Sequence, residues 1–385
     1  MRLVALRGRI VTDYEVWPDG TILLGEGSIA DVSPDDSLVA EAHEVHDHAG
    51  SLILPGFVDL QVNGAFGVDV ASESSRLSEL SRALLSTGTT SYLPTVISSP
   101  EDLYEEALPA IGAAENSNGH GAEVLGVHLE GPFISVEKRG AHTAAHITLP
   151  DTELLARLLD LGPVRMITLA PELEGAGRLA VLAANRGVVV SAGHSDVAFE
   201  PAYDALDGQV AGVTHLFNAM SAMHHREPGL PGAAFAHPRA VCGLIADGSH
   251  VHPEMVGFAF RMLGPDRLCL VTDAIAAAGM QDGEYRLATR TVYTEGGVPR
   301  LGSGSLAGSV LTMREAFMNI LAFTGCTVAE AARMISTSPA RLVGEGRRKG
   351  RLAPGYDADV TILTPDLSVE AVWRGGKVAY SPGGE

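Results

Sequence analysis

VLGVHLEGPFIS, residues 124–135, is an apolar run that ends abruptly in a histidine, a carboxylate and Gly-Pro. Val124, Leu125, Val127 and Leu129 have the aliphatic, partly β-branched content of a strand buried on both faces, and Gly131-Pro132 stops it. Glu130 is thereby placed at the carboxyl end of a strand. Burying a carboxylate there is costly unless a cation or donor compensates it. Taken alone, Glu130 serves equally as a helix cap, an arginine's partner or a metal ligand.

The rest of the chain repeats the pattern. VVVSAGHS reaches His194, AGVTHLFNAM carries His215 and RLCLVTDA ends in Asp273. Strand ends offering Glu, His, His and Asp form a donor set suited to a divalent zinc or iron ion with an open position for water.

Working outward, residues 55–344 alternate strand and helix. Strand-like runs are FVDLQV (57–62), TTSYLPT (89–95), EVLGVHLE (123–130), VRMITLAPE (164–172), GVVVSAGH (187–194), GVTHLFNA (212–219), AVCGLIADG (240–248) and RLCLVTDA (267–274). Between them lie helical segments such as SRLSELSRALLSTG, DTELLARLLDLG, AGRLAVLAANRG and PEMVGFAFRMLG, closed by glycine. Eight such units predict a (β/α)8 TIM-type barrel, whose active site is built at the carboxyl ends of its strands. Residues 1–54 and 345–385 instead read as short strands separated by turns, with no convincing helix. Neither end makes a sufficient sheet alone, so the two are expected to pair into one small β-sandwich domain. The stretch from Gly283 to Gly302 reads as a hairpin insertion near the barrel mouth, followed by the glycine-rich loop GSGSLAGS.

A net charge of −20 and the lack of a basic stripe exclude a nucleic-acid or membrane-surface role. The one basic cluster, Arg347, Arg348, Lys349 and Arg351, reads as a solvated loop. No apolar stretch approaches the roughly 18 residues of a membrane span, and the amino terminus lacks a signal-peptide pattern, so a soluble cytoplasmic protein is expected. The three cysteines, Cys242, Cys269 and Cys326, are far apart in apolar surroundings and read as reduced core thiols.

Pro55-Gly56-Phe57-Val58-Asp59, then HLEGPF, Gly140-Ala141-His142, SAGHS, THLFNAM, ADGSH, VTDA and LAGS, resemble in order and spacing the N-acetylglucosamine-6-phosphate deacetylase family of the amidohydrolase superfamily. The resemblance covers essentially the whole chain. It implies hydrolysis of the N-acetyl group of N-acetyl-D-glucosamine 6-phosphate, in amino sugar catabolism and cell-wall recycling. It further implies one divalent metal per chain held by Glu130, His194 and His215, with Zn2+ first and Fe2+, Co2+ or Mn2+ also suited. Most of the superfamily ends its first strand in His-x-His. Gln61 and Asn63 stand at those positions here, which disfavours a second ion. A bridging carboxylated lysine is also ruled out on every strand after the third, because no lysine lies between Lys138 and Lys349.

Carried over residue by residue, the resemblance makes Asp273 the general acid/base. Ala141, His142 and His250 contact substrate, Asn218, Ala219 and Arg226 bind phosphate, and Leu306, Ala307 and Gly308 cover the sugar. It also implies a homodimer in which Arg226 reaches the neighbouring subunit's substrate. His43, His46 and His48 read as residues of the β region, His224 and His225 as loop residues shaping the entrance, and His120, His146, His237 and His252 as surface residues. His128 is expected on the same side of its strand as Glu130, behind the ligands. Two rivals stand beside this reading: another amidohydrolase-type deaminase or cyclic amidase, and a catalytically silent barrel acting as an assembly protein.

Overall fold

The computed structural model describes residues 2–115 and 120–383. Eight parallel strands line up in one barrel sheet, running from Phe57–Val62 through Thr89–Ile97, Val127–Glu130, Val164–Leu169, Val189–Ala192, Val210–Val213 and Val241–Leu244 to Leu268–Leu270. A two-residue strand, Glu123–Val124, pairs separately with Thr89–Ile97. The expected run 123–130 is therefore broken, and the break falls at Gly126, whose φ of +120° leaves the strand region.

The first and eighth strands close the ring through side chains as well as backbone. Asp59 Oδ2 accepts from Thr272 Oγ1 at 2.6 Å and Asp59 Oδ1 from Thr272 N at 3.2 Å, while Asn63 N donates to Ala274 O at 2.8 Å. Burial pushes the Asp59 carboxyl up to about 7.

Helices pack outside the ring, and their starts are written in the sequence. Asp151 caps Thr152–Leu161 by accepting from Glu153 N and Leu154 N, and Thr312 and Glu315 form a reciprocal cap on Met313–Thr324. Loss of such a cap costs about 1 kcal/mol. Gly88, Gly187 and Gly264 end helical segments with left-handed φ, as the sequence predicts; Gly162 does not, being extended at φ −165°.

The two chain ends form one continuous seven-stranded sheet. Its order is Lys377–Tyr380, Val369–Arg374, Val360–Leu363, Glu44–Pro55, Leu3–Val11, Val16–Gly25, Ser28–Ser33. The sandwich is thus a single sheet folded over its own apolar face, where Leu6, Ile10, Ile22, Ile29, Ile53, Val360, Ile362 and Trp373 cluster. Strand alternation divides the labour on Glu44–Pro55: Ile53 enters this cluster, while Leu52 and Leu54 enter the barrel's core. Each fully buried aliphatic contributes about 1.5–3 kcal/mol. One short 3-10 helix, Ser37–Glu41, interrupts the all-β pattern of the first residues.

Three further expectations change on folding. Lys349 is 4% exposed rather than solvated, because its ammonium sits among Asp359, Glu123 and Asp357 at the seam between the terminal sheet and the barrel. His237 is buried, its Nδ1 accepting from Ala240 N at 3.2 Å and its ring edge-on to Tyr203. The insertion is a three-stranded antiparallel sheet, Gly283–Leu287, Arg290–Glu295 and Val298–Arg300, not a two-stranded hairpin.

Candidate active site

Glu130 ends the third barrel strand, and three side chains converge on its Oε1: Gln61 Nε2 at 2.8 Å, His215 Nε2 at 2.9 Å and His194 Nε2 at 3.1 Å. The two imidazole nitrogens are themselves 3.1 Å apart. All three residues of the triad are buried. His194 Nδ1 faces Lys138 O at 2.8 Å, and a carbonyl only accepts, so Nδ1 carries the proton and the Nε2 lone pair points at Glu130. Two ring nitrogens and a carboxylate oxygen thus crowd one point, an arrangement that a shared cation reconciles. Two imidazoles and one carboxylate are suitable donors for a divalent ion, and the residues present fit one. Burial drives the Glu130 carboxyl upward, but the imidazoles of His142, His194 and His215 gathered around it outweigh burial and hold the group well below the usual range.

His194, His215 and Asp273 share a conformation that their apolar neighbours do not prepare for. Their φ values are +49°, +30° and +50°, in the left-handed region that non-glycine residues rarely adopt. The strands stop two or three residues earlier, and backbone bonds such as Gly193 N to Leu169 O and Thr214 N to Ala192 O carry the chain to these positions. Strain of this kind, about 1–3 kcal/mol per residue, clusters at working sites.

Asp273 lies beside the triad. Its Oδ1 accepts from Asn63 Nδ2 at 2.7 Å and Gln61 Nε2 at 3.1 Å, and burial pushes its carboxyl up to about 6. Gly308 lies against it so closely that a Cβ there would stand 2.9 Å from Asp273 O and 2.4 Å from Ile275, while its own φ is +61°. No other residue fits at 308 without displacement.

His142 presents one defined tautomer. Ser98 N donates to its Nδ1 at 3.2 Å, so the proton sits on Nε2, 3.7 Å from Glu130 Oε2. Burial pushes this imidazole down to about 4, so it is neutral at pH 7 and a donor through Nε2. Arg290, on the inserted sheet, donates to Ala141 O at 3.1 Å and His142 O at 3.4 Å and fixes the loop. His250 is oriented by Asp247, whose Oδ2 meets Nδ1 at 2.7 Å, leaving Nε2 for the cavity.

One cavity of about 140 Å³ gathers Glu130, His194, His215 and Asp273 with Ala141, His142, Asn218, Ala219, His250, Leu306 and Gly308. Asn63, Ile97, Gly140 and Leu287 complete its lining, and none of these was singled out from the sequence as a substrate contact. Leu287 comes from the insertion, whose approach to the mouth no local pattern announces. Ala307 is buried behind its neighbours and is not part of the lining. Arg226 stays outside it as well: it is exposed, with Nη1 2.8 Å from His225 Nε2. His128 is buried below Glu130, its Nδ1 on Leu60 O and its Nε2 on Thr168 Oγ1. His46 and His48 pair with Glu44 and Glu370 on the terminal sheet.

The amidohydrolase family model matches residues 52–379. The N-acetylglucosamine-6-phosphate deacetylase of Homo sapiens is 38% identical over 392 residues, covering 97% of this chain and 93% of that protein. The N-acetylgalactosamine-6-phosphate deacetylase of Escherichia coli O157:H7 is 36% identical over 378 residues, covering 97% and 98%. Among solved structures, a mutant N-acetyl-D-glucosamine-6-phosphate deacetylase from Mycobacterium smegmatis, in complex with N-acetyl-D-glucosamine-6-phosphate, superposes with a TM-score of 0.92 at 30% identity over 99% of this chain and 100% of that one.

Proposed function

The chain belongs to the amidohydrolase family, and we propose on that premise that it hydrolyses N-acetyl-D-glucosamine 6-phosphate to glucosamine 6-phosphate and acetate. The observation that carries this reading is the convergence of Glu130, His194 and His215 beside Asp273 and His142 in one cavity. Glu130, His194 and His215 would hold one divalent ion, Zn2+ by preference, whose Lewis acidity would polarise the amide carbonyl and make water a nucleophile near neutral pH. Asp273 takes the proton of the attacking water and hands it to the nitrogen as the C–N bond breaks. His142 donates Nε2–H to the carbonyl oxygen as charge develops there. Gln61 and Asn63 place their NH2 groups on the same carboxylates, a use that favours one ion over two.

His250, Asn218 and Ala219 face the sugar phosphate, and Arg226 acts in trans within a homodimer. What supports the exchanged arm is that Arg226 is exposed and stands apart from its own cavity, although a phosphate in a chain of net charge −20 needs a cationic partner. Residues 1–54 with 345–385 form the supporting domain and 55–344 the catalytic one, a division supported by the sheet that both ends share. A cytoplasmic setting agrees with the free, buried Cys242 and Cys269; no helix among the described residues is long and apolar enough to cross a membrane.

Acetate release from the phosphorylated sugar, beside its unphosphorylated form and its galacto epimer, tests the reading. Release of ammonia or ring opening without acetate would replace it with the deaminase or cyclic amidase alternative. If mixed dimers of inactive Arg226→Ala and Asp273→Asn chains recover no activity after verified subunit exchange, Arg226 serves its own chain.

A further inference from the structure

We infer that Asn63 is a substrate contact whose amide oxygen accepts a hydrogen bond from the N–H of the scissile amide. The inference rests on the deacetylase reading and adds to it a residue that selects amides over other acyl compounds. Asn63 follows the first barrel strand, is 3% exposed and stands in the cavity wall. Its orientation is dictated by charge. Nδ2 lies 2.7 Å from Asp273 Oδ1, and a flipped amide would set an oxygen against that carboxylate. The atom left over is Oδ1, which is buried and has no hydrogen-bond partner among the described residues. A buried acceptor without a donor is uncommon and calls for an explanation. Among the described residues, Asn63 is one of two in the wall of this cavity that hold a buried side-chain polar atom without a partner, with His215.

The reaction brings the missing donor to this place. Water oxygen bonds to the carbonyl carbon, the C–N bond breaks, and its electron pair remains on nitrogen, which takes a proton from Asp273. The scissile nitrogen must therefore lie within hydrogen-bond reach of Asp273, whose carboxylate Asn63 already touches. A secondary amide carries one N–H, and with that hydrogen held by Asn63 Oδ1 the lone pair that forms on nitrogen is turned toward Asp273. An ester presents an oxygen without hydrogen at the same point and leaves Oδ1 unmatched.

The experiment compares kcat/KM for N-acetyl-D-glucosamine 6-phosphate with that for the 2-O-acetyl ester of glucose 6-phosphate, in the wild-type protein and in Asn63→Ala. Metal content and thermal unfolding are measured on both. Loss of the donor to Asp273 affects both substrates, so the ratio isolates the N–H contact. Asn63→Ala is expected to lower the amide-to-ester ratio by roughly ten- to a hundred-fold, the worth of one buried hydrogen bond. Equal losses on both substrates overturn the assignment while leaving the deacetylase reading intact. A wild-type protein that releases no acetate from the amide defeats that reading itself. Should Asn63→Ala fail to fold or to hold metal, Asn63→Leu, closer in volume, is judged by the same ratio.

Discussion

Two carboxylate clusters in this chain, one buried and one half-buried, answer the same electrostatic problem in opposite ways. At the seam between the terminal sheet and the barrel, Glu123, Asp357 and Asp359 bring their oxygens within 4.8 Å of one another, a spacing that would suit a metal ion. The chain fills that point itself: Lys349 Nζ lies 2.6 Å from Asp359, 2.8 Å from Glu123 and 2.9 Å from Asp357, and Arg348 forks onto Glu123, Glu345 and Asp357. At the barrel mouth Glu130 meets no ammonium or guanidinium but two imidazoles and an amide. A tethered ammonium offers no open position, so the first cluster can only join. Lone pairs held around a carboxylate can share an ion with water and substrate, so the second can react.

The sharpest break in this comparison is His194→Ala, which should lose both bound metal and acetate release while its thermal unfolding keeps the contribution of the Lys349 cluster. Elemental analysis of the wild type should find one tightly held ion per chain, and two would contradict the role given to Gln61 and Asn63. Asp273→Asn removes the proposed proton carrier but none of the proposed ligands. It should retain metal and lose about 10² to 10⁴ in turnover. A drop of only two- or three-fold would make Asp273 structural.

On the other side of the comparison, Lys349→Met leaves three carboxylates facing one another without their ammonium. Breaking a buried pair in this way costs about 3–5 kcal/mol, to be read from urea unfolding, with kcat of the folded fraction unchanged. A smaller effect comes from acid. Burial raises Glu123, but Arg348 and Lys349 outweigh it and hold its pKa at about 2 against an ordinary 4.5. A depressed carboxylate stabilises the fold above its unfolded pKa, so this contribution is full above about pH 4.5 and is lost as pH falls toward about 2. Lys349→Met should flatten the acid limb of the stability curve, and a slope unchanged from wild type would mean that the cluster is not what fails in acid.

Legibility followed the same divide. The reactive cluster could be read because parallel barrel strands buried on both faces are unbroken apolar runs, against which Glu130, His194, His215 and Asp273 stand out at the ends. The joining cluster could not. Lys349 sits in RRKGR, which reads as solvent-exposed, and its partners come from the second strand's neighbourhood and from residues 357–359, brought together only by the fold. Arg290 was invisible for the same reason, being about 150 residues from the carbonyls it holds. Asn63 was legible as a departure from His-x-His, and its orphaned oxygen required the side-chain geometry.

The left-handed backbone at His194, His215 and Asp273 also limits how this centre can drift over generations. After glycine, the residues most at home at positive φ are Asn, Asp and His, and β-branched side chains are the worst placed. Neutral exploration at 194 and 215 is therefore funnelled toward Asp and Asn. Libraries seeking a new metal preference have most room along that narrow path, where a carboxylate replaces an imidazole without a change in the course of the chain.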